Sequence, residues 1–128
     1  MPKVLVFLLL CIFSFKSPAS TIDKAYKALQ EYDYFKAKKL FYGQLKKNPT
    51  QAAFGLATIY YRNDNPFHKL DSAYKYILIC RNNYETLPPD KALKLKTIYH
   101  LNDSCITTLH DSIAAKAYTA YFKNNTVA

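Results

Sequence analysis

The chain has 128 residues, enough for one domain behind a short leader, with 18 Lys and Arg against 9 Asp and Glu and a formal net charge of +9. Half of the residues are apolar and 16% are aromatic, yet only 2 are Gly, which leaves no material for a glycine-rich phosphate cradle. No Gly-x-Ser-x-Gly elbow or clustered carboxylates appear, and the positive charge permits attraction to acidic partners without specifying nucleic acid.

The first segment reads as a secretory signal peptide over residues 1–19. Met1-Pro2-Lys3 gives a basic start, Val4 through Phe13 an apolar run, and Ser17 and Ala19 the small-x-small pattern before a cut. The cut falls between Ala19 and Ser20, so the domain expected is 20–128. The run is too short to span a bilayer, and no later stretch is long and apolar enough to be a transmembrane helix. Losing Lys3 and Lys16 with the leader lowers the positive charge by two, and the remaining lysines are scattered as on solvated helix faces.

Beyond Ser20, apolar residues recur at helical spacing and no stretch alternates as a strand would. Ile22, Ala25, Tyr26 and Leu29 mark a first helix; Tyr34, Ala37, Phe41 and Leu45 a second, with Asp33 as its cap. Asn48-Pro49-Thr50 stops that helix and starts a third, marked by Ala53, Leu56, Ala57 and Tyr60. Asn63-Asp64-Asn65-Pro66 breaks the chain before a fourth helix on Ala73, Tyr76, Ile77 and Cys80. Pro88-Pro89-Asp90 opens a fifth on Ala92, Leu95, Ile98 and Tyr99; Asn102-Asp103-Ser104 caps a sixth on Ile106, Leu109, Ile113, Ala117 and Tyr121. Short connections make neighbouring helices antiparallel, so the expected fold is all-α, with three stacked helical hairpins.

The run Asp33-Tyr34-Phe35-Lys36-Ala37 with Phe41 and a closing Asn48-Pro49 resembles the second half of a tetratricopeptide repeat. Gly55-Leu56-Ala57-Thr58-Ile59-Tyr60 resembles the first helix of the next repeat, and Ser72-Ala73 with Ile77 its second helix. Ala37, Phe41, Pro49, Leu56, Ala57, Tyr60, Ala73 and Ile77 are the repeat-defining core on this reading. The likeness covers residues 22–83; tryptophan is absent, and the chain between Tyr60 and Ala73 is longer than the repeat period. It implies a solenoid that binds an extended protein or peptide partner in a groove, with Tyr26, Gln30, Thr58, Tyr61 and Arg62 as candidate groove residues and no cofactor or catalysis. The features also resemble exported repeat proteins of Gram-negative envelopes, which implies a periplasmic or outer-envelope location with peripheral association and no nucleic acid partner. The sixth helix ends in Asn124-Asn125-Thr126 without a polar closing helix, as in a chain continuing into further domains. The alternative expectation is therefore a spacer in a larger outer-membrane or peptidoglycan-associated protein.

His68, His100 and His110 lack metal-site spacing, and Cys105 with His110 has a spacing that points the side chains apart on a helix. Cys80 and Cys105 are expected as free, half-buried thiols, because the fourth and sixth helices of a hairpin stack would run parallel and hold them apart. The tyrosines beside core positions, including Tyr74, Tyr118 and Tyr121, are expected to pack between hairpins with their hydroxyls reaching water.

Overall fold

The computed structural model describes residues 19–125; the segment read from the sequence as a signal peptide lies outside them up to Pro18. Six helices and no strand occur among the described residues: α1 (Thr21–Gln30), α2 (Tyr34–Gln44), α3 (Pro49–Tyr61), α4 (Leu70–Glu85), α5 (Pro89–Tyr99) and α6 (Asp103–Asn125). The chain is all-α, and none of these helices is long and apolar enough to cross a membrane.

Each boundary has a local cause. Ser20 opens α1 in a capping box: its hydroxyl accepts from the Asp23 N–H at 3.2 Å, and its own N–H donates to the Asp23 carboxylate at 3.3 Å. α1 closes as Tyr32 turns left-handed at φ 59° and the Asp33 N–H reaches back to the Ala28 carbonyl at 2.9 Å. Asp33 then caps α2 by accepting from the Lys36 N–H at 3.2 Å. The loop after α3 is tied by Asn65, whose amide donates to the Ile59 and Arg62 carbonyls and whose oxygen accepts from the Phe67 N–H.

α3 is the centre of the molecule. Its Ala52, Ala53, Leu56, Ala57 and Ile59 are fully buried, the pattern of a helix covered on every side. α4 packs on it most extensively, and α1, α2 and α6 also touch it. The seam between the first two hairpins is set by one close approach. Phe41 of α2, fully buried, lies against Gly55 of α3, where an added Cβ would come within 2.3 Å of the ring. The edge of Phe41 also meets Tyr26 of α1, with ring centroids 5.0 Å apart at 79°. Ala37 and Ala73 are small because both are fully buried where paired helices cross.

The expected third hairpin does not form. α6 packs on α4 and α3, while α5 makes no extensive helix–helix packing and buries only Leu95 along its length. Its Ile98 is 53% exposed, not a core residue. α6 also runs antiparallel to α4, not parallel: His110 lies beside Tyr74, while Ala115 and Thr119 lie beside Leu70. The physical reason is the sharp turn between α5 and α6. His100 adopts a left-handed φ of 54°, and the Leu101 N–H returns to the Leu95 carbonyl at 3.2 Å. Buried Leu101 then packs into the core, so the chain is sent back onto α4 without laying α6 along α5. α6 therefore takes the next place in the stack, and α5 is a crossing helix at one end of it.

The long α6 also outruns the stack. Tyr118 and Tyr121 are 66% and 64% exposed and do not fill the space between hairpins, whereas the Tyr74 ring of α4 lies against His110 of α6.

Candidate functional site

At one end of the two hairpins, α5 roofs a cavity of about 830 Å³. The floor is where several helix ends converge: the starts of α1 and α3, the ends of α2 and α4, and one side of α5. That volume lies within the range of ordinary ligand sites, roughly 300–1,000 Å³.

Tyr99, in the last turn of α5, fastens the roof to α1. Its hydroxyl donates to the Asp23 carboxylate at 2.7 Å, and its ring lies against Tyr26 with centroids 5.3 Å apart. The hydrogen bond from Tyr99, followed by that from Ser20, holds the Asp23 carboxyl below the usual range. Burial, followed by the Asp23 carboxylate, pushes the Tyr99 phenol up to about 12. Tyr26 is fixed below it, donating to the Gln51 carbonyl at 2.6 Å, and burial keeps its phenol well above the ordinary value.

The lining mixes polar with apolar side chains and is lopsided in charge. Lys47, Lys91 and Lys94 stand around the cavity and no carboxylate lines it. None of these lysines has an ion pair; His110 with Asp111 at 3.1 Å is the one ion pair among the described residues. The start of α3 opens into the same space without a side-chain cap. Asn48, which stands where the cap belongs, instead donates its amide to the Gln44 side chain at 2.9 Å. Beside it, Thr50 is buried and lines the cavity. An uncapped helix start presents unbonded N–H groups and the positive end of the helix dipole.

The five candidate groove residues are not brought together on one surface. Tyr26 lies under Tyr99, and Gln30 is exposed at the far end of α1. Thr58 donates to the Phe54 carbonyl within its own helix at 2.9 Å. Tyr61 faces α6, with the Lys116 ammonium 4.4 Å from its ring centre. Arg62 donates to the Tyr34 hydroxyl, which itself donates to Asp64 at 2.8 Å. Only Tyr26 adjoins the cavity, and its hydroxyl is occupied.

Three further tyrosines form a hydroxyl cluster across α2, α3 and α4. The Tyr42 and Tyr60 hydroxyls are 2.6 Å apart, and Tyr76 donates to Tyr42 at 3.1 Å with its ring stacked on Tyr60. Burial, followed by the bond to Tyr42, pushes the Tyr76 phenol up to about 12. Cys80 and Cys105 are free: Cys80 is fully buried and Cys105 half-buried, its thiol donating to the His100 carbonyl. Among the described residues no group of three His, Cys, Asp or Glu side chains is placed to hold a metal.

Comparison with family models, with curated proteins and with solved structures finds no match. The cavity was missed in the sequence because it depends on α5 leaving the hairpin pattern. Its one local signal is Pro88-Pro89, followed by a helix whose only buried residue is Leu95.

Proposed function

We propose that this chain is a non-enzymatic scaffold of tetratricopeptide type, exported to the periplasm or cell envelope, that seats a protein or peptide partner in the cavity under α5. The observation that carries the binding reading is the cavity itself, a space of ligand-site volume lined by lysines, side-chain amides and hydroxyls together with Ile22, Leu87, Leu95 and Ile98. The repeat reading is supported by Phe41 wedged against Gly55 between two hairpins, and by fully buried alanines at both crossings. The position of α6 on α4 and α3 supports it too, because that is the place the first helix of a third repeat would take. The alternative, a spacer in a larger envelope protein, draws on the exposed aromatic end of α6.

Site-specific photocrosslinking in the native cell tests the reading. Ile98 lines the cavity and is 53% exposed, whereas Leu93 of the same helix is 63% exposed and does not line it. A photoreactive side chain at position 98 is expected to give a protein adduct of discrete mass, and one at position 93 is not. Equal labelling from both positions, or none from 98, overturns the proposal. Intact mass of the same samples reads the mature start, expected at Ser20.

A further inference from the structure

We infer that the cavity under α5 selects an acidic partner segment, whose aspartate or glutamate carboxylates meet Lys47, Lys91 and Lys94. The inference rests on the peptide-binding reading above and adds the chemistry of recognition to it.

Two separate features favour an anion in this space. Lys47 comes from the α2–α3 link while Lys91 and Lys94 come from α5, so lysines from two sides surround one cavity that no carboxylate lines. The Asp23 carboxylate belongs to the same neighbourhood but is engaged by the Tyr99 hydroxyl and the Ser20 N–H, so it does not neutralise them. The α3 start adds N–H groups without a capping side chain, and such a terminus attracts negative charge. Lys47, Lys91 and Lys94 are all exposed, so their attraction for an acidic segment acts through solvent and is screened by salt.

The spread of the lysines over two elements also argues for an extended segment. Lys47 and the α5 lysines approach the cavity from different elements, so successive acidic residues on one strand would meet successive cations.

The experiment uses the whole exported chain and a short fluorescein-labelled peptide of alternating glutamate and alanine. Its control is the same peptide with glutamine for glutamate. Binding is read by anisotropy at physiological salt. The glutamate peptide is expected to bind and the glutamine peptide to bind at least about tenfold more weakly, as charge-assisted contacts at a partly screened site would give. The double variant K91Q/K94Q tests location. Its affinity for the glutamate peptide is expected to fall about tenfold, whereas K36Q/K39Q, which changes the net charge equally on the exposed face of α2, is expected to change it less than about twofold.

Equal losses in the two lysine variants would mean general attraction to a basic protein and would overturn the inference. Full displacement of the peptide by inorganic phosphate at millimolar concentration would mean an unspecific anion site and would also overturn it. If both peptides bind equally and crosslinks still form from position 98, the scaffold reading stands and the acidic selection fails. If no crosslinks form, the scaffold reading itself fails.

Discussion

Tyr99→Phe tests how α5 is held. The substitution keeps the ring against Tyr26 and removes only the hydroxyl that donates to Asp23 at 2.7 Å. A hydrogen bond to a charged acceptor contributes roughly 1.5–3 kcal/mol where it is shielded, and exposure of Asp23 reduces this to about 1 kcal/mol. With a urea slope near 1.5 kcal/mol per molar, the unfolding midpoint should fall by about 0.7 M. The pH dependence gives a second handle with a defined sign. Asp23 has a lowered pKa in the fold, so its share of the stability is present above the ordinary carboxylate range and is lost as pH falls through the folded value. Tyr99 has a raised one, so its share is complete below about 10 and is lost as pH rises through about 12. The difference between wild type and Tyr99→Phe should therefore be flat from about pH 5 to 9 and shrink at both ends. Hydrogen exchange should show faster opening of α5 amides in the variant, with α3 unchanged. A variant as stable as wild type at pH 7, or a gap that ignores pH at both ends, would refute the idea that this bond fastens the roof.

Other substitutions probe the stack itself. Gly55→Ala should destabilise by about 2–4 kcal/mol, because its Cβ meets the Phe41 ring at 2.3 Å; Gly43→Ala, with nothing within 4 Å, should stabilise by up to about 0.5–1 kcal/mol, and urea melts of the pair decide it. His100→Gly should stabilise by about 1 kcal/mol, since a left-handed φ of 54° costs a residue with a Cβ; a drop in melting temperature would show that the imidazole makes a stabilising contact of its own. Cys80, fully buried with its thiol pushed up to about 12 by burial, should resist iodoacetamide at pH 8 until the protein unfolds, a contrast that mass spectrometry after timed labelling reads directly.

The sequence was informative wherever a residue's role is set within one or two turns. Pro49, Pro89 and Asp33 open helices for reasons local to each, and helical periodicity located α1 to α4 with their buried Ala37, Phe41, Leu56, Ala57, Ala73 and Ile77. It failed where the decision is made at a distance. Ala92, Leu95 and Ile98 have the spacing of an ordinary amphipathic helix, yet a left-handed histidine at the end of α5 breaks the hairpin and leaves only Leu95 buried. Histidine offers little warning, because glycine is the residue that usually announces such a turn. Tyr118 and Tyr121 fit a helical stripe for the same reason and lie beyond the stack that would have covered them.

The misplaced helix is also why the candidate groove residues scattered. In a regular hairpin stack the first helices of successive pairs line one concave face, and Tyr26 and Tyr61 would share it. Here α5 crosses to α1 and covers Tyr26 with Tyr99, while α6 takes up Tyr61 through Lys116. The polar surface moves to the end of the stack, where helix ends converge and where Lys91 and Lys94 arrive on the crossing helix. Those two lysines look like solvated surface in the sequence because nothing nearby in the chain gives them a purpose; their relation to Thr50 and Lys47 exists only after the turn at His100 has been made.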